Sequence, residues 1–382
     1  MKSLLVRLSL IALCASASAE PLLTHVDVFK SGTEGYHSFR IPAIVTTPDG
    51  SLVAFAEGRK ENQSDPGGGD IDLVCKRSTD LGATWSALTV LDDPGEKWSA
   101  SNPTPVVDRS NGRVWIAFNR WETGYGTNNS KPGTANCQTW LRYSDDNGRT
   151  WSQPIDITRS ARDFDNWGAM FTGPGGAIQT RGGRLLIPGT MKPDTEYVWA
   201  AAGDFRGKIS FLRAYAVYSD DHGKTWQRGA LVRAISDENQ FVELADGTLL
   251  MDARQSAGDR RWFIASPDGG QTWAEPRPGE VVTPVATGLE RFPASGDGKG
   301  RSCILWTGPA GPGRQKLVLR VSYDEAKTFP EERLIYQGKA AYSELTVLND
   351  STAAVLWERD DYKFITFTRF NREFIEAGAP GK

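Results

Sequence analysis

The chain has 382 residues, with 44 Lys or Arg against 47 Asp or Glu and a net charge of −3. No basic excess points to nucleic acid, and three histidines without HExxH or CxxC spacing argue against a catalytic transition metal. Of four cysteines, Cys75, Cys137 and Cys303 lie beyond the first twenty residues, an odd and scattered set that is not a disulfide framework; one bridge or three buried thiols both fit.

The first segment, MKSLLVRLSLIALCASASAE, sets Lys2 and Arg7 beside an apolar run and closes on Ala17-Ser18-Ala19. That is the layout of a secretory signal peptide cut after Ala19. Cys14 follows Leu13, which is large where a lipoprotein anchor wants a small residue, so lipidation is disfavoured. No later apolar run is long enough to cross a bilayer, so no transmembrane segment is expected. The expected mature protein is residues 20–382, a single domain, exported and periplasmic or secreted.

From Phe39 onward, short runs rich in β-branched and aromatic residues succeed one another: FRIPAIVTT, SLVAFAE, RVWIAFN, RLLIPGT, GTLLMDA, KLVLRVS, TAAVLWE and KFITFTR. PDG, SNGR, ADG and LND separate them, which is strand and turn punctuation. No amphipathic helix longer than a turn or two is apparent. Within FRIP, the proline is expected to push Ile41 to extended geometry, so that Arg40 projects from the start of a strand.

Between these runs an octapeptide recurs: STDLGATW, SDDNGRTW, SDDHGKTW, SPDGGQTW and a blurred SYDEAKTF, starting at Ser78, Ser144, Ser219, Ser266 and Ser322. Recurrence roughly every 50–75 residues is the mark of a repeat array or propeller. It overrides the two domains that a prior of about 150 residues per domain would suggest. Each copy reads as a turn. Its aspartate can accept backbone N–H groups, its glycine can take positive φ, and its tryptophan can pack on a sheet. The last copy has Ala326 and Phe329 in place of glycine and tryptophan. A left-handed alanine costs about 1–2 kcal/mol, so that turn is expected to be distorted.

The octapeptides resemble Asp-boxes, SxDxGxTW. With the N-terminal FRIP they resemble the signature of the exo-α-sialidases (neuraminidases), from about Phe39 to Glu358. The resemblance implies an all-β, six-bladed β-propeller in which the repeated turns are frame and not site. It implies an enzyme that needs no cofactor and removes terminal α-linked sialic acid from glycans, glycoproteins or glycolipids with retention. An intramolecular trans-sialidase, or an enzyme preferring a deaminated sialic acid, would use the same residues. A propeller that only binds the sugar would be expected to lack the catalytic ones.

The family holds the substrate's carboxylate with three arginines, whose planar fork suits a carboxylate better than lysine does. Arg40, Arg254 in LLMDAR and Arg314 in GPGRQKL match them. Glu358 in LWERDD matches the glutamate that steadies the first. A carboxylate nucleophile would be repelled by the substrate's carboxylate, by roughly 4 kcal/mol at about 4 Å and an effective dielectric of 20. The family uses a tyrosine, matched by Tyr342 in AAYSEL. A phenol with a pKa near 10 needs a base, matched by Glu238 in DENQ, with Glu243 as the competitor. The family's acid and base is an aspartate on a polar, glycine-rich loop, here EGRKENQSDPGGGDIDLV. Asp65 matches best; Asp70 and Asp72 are rivals, though Asp72 alternates with Ile71 and Leu73 as part of the next strand. Arg59 resembles the arginine that reaches the sugar's O4. Asn102 stands where related enzymes often carry aspartate. Trp121 could line an N-acetyl pocket. No EF-hand-like pattern is present, though a surface loop could still bind calcium, and nothing in the sequence sets the oligomeric state.

Overall fold

The computed structural model describes residues 20–193, 212–255, 258–298 and 300–377; the signal-like segment 1–19, with Cys14, lies outside the described residues. The chain forms six antiparallel blades in sequence order. The first holds Ser38–Thr46, Leu52–Arg59, Ile71–Ser78 and Thr89–Asp92; the second holds Trp98–Asp108, Arg113–Glu122, Cys137–Ser144 and Ile155–Asp156. The third holds Trp167–Thr172, Leu185–Pro193, Arg213–Ser219 and Gln227–Arg228, with the short Ile178–Gln179 at its side. The fourth holds Asn239–Glu243, Leu249–Arg254, Arg260–Ser266 and Arg277–Val281.

One long strand, Glu331–Asn349, serves two blades. Its first half closes the fifth, after Gly288–Phe292, Cys303–Pro309 and Gln315–Ser322. Its second half opens the sixth, before Thr352–Arg359 and Phe364–Asn371. The outermost place in the sixth blade is taken by the start of the chain, Leu23–Lys30, paired antiparallel with Phe364–Asn371. The ring is therefore closed by pairing between the first strand and the last, with Leu23–Lys30 as the outer edge of the sixth blade.

Strands inside a blade are covered on both faces by neighbouring blades. Leu52–Arg59 is buried at all eight positions, which is why SLVAFAE reads as an unbroken apolar run and not as an alternation. The clusters under it join blades: Phe29, Phe39, Leu52, Leu356 and Phe367 belong to one, and Trp115, Met170, Tyr215 and Trp226 to another. Cys75, Cys137 and Cys303 are all buried free thiols. Among the described residues no helix is long and apolar enough to cross a membrane.

The octapeptide turns share one geometry. The first serine accepts the N–H of the fifth residue (Ser78 from Gly82, 3.0 Å). The aspartate accepts both the N–H and the hydroxyl of the threonine (Asp80 from Thr84, 2.9 and 2.6 Å). The fourth and fifth residues both have positive φ: 58° and 83° at Leu81 and Gly82, 62° and 82° at His222 and Gly223. The fifth copy corrects the expectation of distortion. Ser322 accepts Ala326 N–H at 2.9 Å, Asp324 accepts Thr328 N–H at 2.9 Å, and Ala326 itself sits at φ 56°. The same three hydrogen bonds, with the Thr328 hydroxyl donating to Asp324 at 2.7 Å, hold it there in spite of its Cβ.

Candidate active site

The first strand of the first blade carries Arg40 as its third residue. Ile41, which follows, does not adopt the extended geometry expected before proline; its φ is +60°. Positive φ is strained for a β-branched residue. The reason is Glu358, whose Oε1 accepts Ile41 N–H at 3.0 Å and Arg40 Nε at 2.5 Å. The kink coincides with a register shift between Arg40 and Ala43. Oε2 of Glu358 accepts Arg40 Nη2 at 3.3 Å and Tyr342 N–H at 3.2 Å. One buried carboxylate thus fixes the first arginine and the backbone of the tyrosine in the sixth blade. Burial lowers the pKa of Arg40, but the contacts with Glu358 outweigh it and hold the guanidinium charged.

Tyr342 lies among all three arginines. Arg40 and Arg314 each bring Cζ to 5.5 Å from its ring centroid, and Arg254 Nη1 is 3.2 Å from its hydroxyl oxygen. The phenol donates to Glu238 Oε1, and Glu238 Oε2 accepts Arg254 Nη1 at 2.6 Å. Burial, then the neighbouring Glu238 carboxylate, push the phenol well above its ordinary range, although Arg254 and Arg40 pull it down. It therefore keeps its proton until a base removes it. Glu243, the competitor, is elsewhere, with its carboxylate accepting Arg181 N–H at 2.7 Å.

A second group surrounds Asp65. Arg59 is locked onto Glu57 by Nε and Nη2 at 3.0 and 2.6 Å and reaches Asp65 Oδ1 at 3.4 Å. Asp65 is otherwise open, with 86% of its side chain exposed. Glu57 Oε1 accepts Asn102 N–H at 3.0 Å, so Arg59, Asp65 and Asn102 form one chain of contacts. Asp70 and Asp72 are instead held by Lys60, at 3.1 and 3.0 Å, and Asp72 also by Tyr36. Trp121 is 3% exposed and packs with Cys137, Ala169, Phe171 and Leu212. As placed, its indole is core and offers no open face to a ligand.

Four features escaped the sequence. Glu57 repeats in the first blade what Glu358 does in the sixth. Tyr362 stands between two of the arginines: Arg40 Cζ is 4.0 Å from its ring and Arg314 Nη1 donates to its hydroxyl at 2.8 Å. It is carried there by three successive left-handed residues, Asp360, Asp361 and Tyr362, with φ 53°, 52° and 67°. Asp237, beside the base, approaches Arg254 Nε to 3.9 Å, and burial, then Glu238, push its carboxyl up. Beneath these, Arg261 is buried on Asp252 at 2.7 Å and reaches the Glu238 carbonyl at 3.4 Å. Only Asp-Asp-Tyr directly after LWER was a visible signal; Glu57 and Arg261 are ordinary strand residues by sequence, and Asp237 an ordinary loop acid.

The arrangement suits a small anionic substrate. Three guanidiniums converge, and among the described residues Arg314 has no carboxylate partner, its hydrogen bonds going to Tyr362 and the Pro284 carbonyl. Beside them stand a phenol with a carboxylate on its proton and, on a loop, an exposed carboxylate.

The BNR repeat-like domain family matches residues 36–355. A sialidase of Micromonospora viridifaciens is 34% identical over 362 residues, which cover 89% of this chain but 52% of that protein. An exo-alpha-sialidase of Aspergillus fumigatus is 30% identical over 383 residues, covering 90% of this chain and 86% of that one. Among solved structures, a Hadza microbial sialidase superposes with a TM-score of 0.80 at 28% identity, over 90% of this chain and 68% of that one. The six-bladed ring, the repeated turns and these relatives together place the chain in the sialidase family of BNR-repeat proteins.

Proposed function

We propose that this protein is an exo-α-sialidase that cleaves terminal α-linked sialic acid from sialylated glycans with retention of configuration. The observation that carries the proposal is the Tyr342 phenol, hydrogen-bonded to Glu238 inside the ring of Arg40, Arg254 and Arg314. Sialidases depart from the two-carboxylate scheme of glycoside hydrolysis by using a tyrosine nucleophile, and the electrostatics here favour that. The arginines draw in the sugar's carboxylate, and a neutral phenol meets it without the repulsion a carboxylate would suffer.

In the first step Tyr342 Oη attacks the anomeric carbon while its proton passes to Glu238. Asp65 protonates the departing glycosidic oxygen, and the aglycone leaves. In the second, Asp65 takes a proton from water, the water oxygen displaces the phenolate, and Glu238 returns the proton to Tyr342. The sugar ends as the α-anomer.

Replacing Tyr342 by Phe should lower turnover of a fluorogenic sialoside by at least about 10³-fold. Undiminished turnover would remove the nucleophile assignment. NMR of the first product should show the α-anomer; the β-anomer would overturn retention. A 2,7-anhydro sugar would identify an intramolecular transferase working on the same residues.

A further inference from the structure

The turn that carries Asp65 is fixed through its backbone. Asp65 accepts Gly68 N–H at 2.9 Å across Pro66 and Gly67, and Gly67 has φ +86°. Proline second and a left-handed glycine third make a type II turn. The turn rests on a strand of the next blade. Ser99, the second residue of Trp98–Asp108 and 0% exposed, accepts Gly67 N–H at 3.0 Å. Its hydroxyl donates to the Gly69 carbonyl at 2.6 Å. From the other side Gly124 N–H donates to the Gly67 carbonyl at 2.8 Å. The fit leaves no slack: a Cβ on Gly67 would lie 1.7 Å from the Tyr125 carbonyl oxygen.

We propose that Ser99 is a positioning residue for the reaction, the seat that holds the Asp65 turn at the leaving oxygen. The proposal rests on the reading of Asp65 as acid and base. The Asp65 side chain is exposed and, among the described residues, is reached by Arg59 alone, so its placement comes from its backbone, and Ser99 is the buried side chain that satisfies that backbone on both sides of Gly68. A general acid must come within about 2.6–3.2 Å of the oxygen it protonates. A displacement of about 1 Å can cost on the order of 10²-fold in rate. Ser99 acts through Asp65 and touches no substrate itself.

A loosened seat should hurt only substrates whose leaving oxygen needs the proton. The test compares kcat/KM for sialyllactose, an unactivated leaving group, with that for a 4-nitrophenyl sialoside, which departs without much help. Three variants are measured: Ser99→Ala, Gly67→Ala and, as reference, Asp65→Ala. Ser99→Ala should lose about 10–100-fold on sialyllactose and less than about threefold on the nitrophenyl sialoside. Gly67→Ala, confined to the loop, should show the same selective loss even if Ser99→Ala folds poorly. Equal losses on both substrates for Ser99→Ala and Gly67→Ala, or no loss on either, overturn the seat while Asp65→Ala still discriminates. If Asp65→Ala does not discriminate, the acid assignment itself falls and the seat with it.

Discussion

Two residues that precede prolines, Ile41 and Asn102, carry the same backbone device. Each has positive φ, 60° and 55°, and each gives its N–H to a buried glutamate, Glu358 and Glu57 respectively. Each glutamate also holds an arginine, Arg40 or Arg59. Strain of this kind persists only where the surroundings over-determine it, and here a buried carboxylate holds each strained N–H. Removing Glu358 leaves Arg40 buried without its countercharge. Glu358→Ala should destabilise the fold by about 3–5 kcal/mol in denaturant melts, and adding Arg40→Met should restore part of the stability but none of the activity. A silent Glu358→Ala would show that the pair is not needed to bury the arginine. Arg40, Arg254, Arg314, Glu238 and Tyr342 were legible in the sequence because short motifs surround them. Glu57, Asp237 and Tyr362 were not, because what gives each its role comes from elsewhere in the chain: the Asn102 N–H at Glu57, Arg254 beside Asp237, and Arg40 and Arg314 around Tyr362.

The octapeptide turn acts at the scale of the element, and its work is between blades. Its last aromatic packs mostly on the preceding blade: Trp85 on Phe367, Trp151 on Phe55, Trp226 on Trp115 and Phe329 on Phe263. Its glycine does the same. A Cβ at Gly82 would come 2.1 Å from the Phe367 ring, and one at Gly223 would come 2.4 Å from Trp115. Positive φ and close approach thus select glycine together. Gly82→Ala should cost about 2–4 kcal/mol from left-handed strain and overpacking combined, read as a fall in the denaturation midpoint. A loss below about 1 kcal/mol would mean the turn can move off Phe367 freely. At the fifth copy the neighbouring blade leaves room for the Ala326 methyl, which is buried at 0% exposure. That room is a tertiary fact, and the repeat pattern alone pointed to distortion instead.

Across the whole molecule the inner strands all run the same way, so one end of the axis collects the site and the other end a cavity of about 710 Å³. Glu344, two residues after Tyr342, lies at that second end with Glu290. It accepts Gly176 N–H at 2.8 Å and the side-chain amide of Gln240. Burial, and to a lesser degree Glu290, push Glu344 up to about 8. A carboxyl raised in the folded state keeps a proton that the unfolded chain has lost, so stability is fully present below its ordinary range and falls as pH rises toward 8. The fall attributable to Glu344 between pH 5 and 8 should be on the order of 3 kcal/mol. Glu344→Gln should flatten that slope relative to the parent protein. Identical pH profiles for the two would show that the carboxyl is already ionised at pH 5.

Strand content, the repeated turns and the motif-borne residues were set by local sequence. Alternating strand and turn chemistry, and the short motifs around Arg40, Glu238 and Tyr342, need no distant partner to be read. What only the tertiary structure decided was which charges meet. Arg40 and Glu358 are 318 residues apart and Tyr342 and Glu238 are 104 apart. Closing the ring with the first strand paired to the last brings such groups into one low-dielectric centre, where contact, burial and strain give ordinary side chains their chemistry.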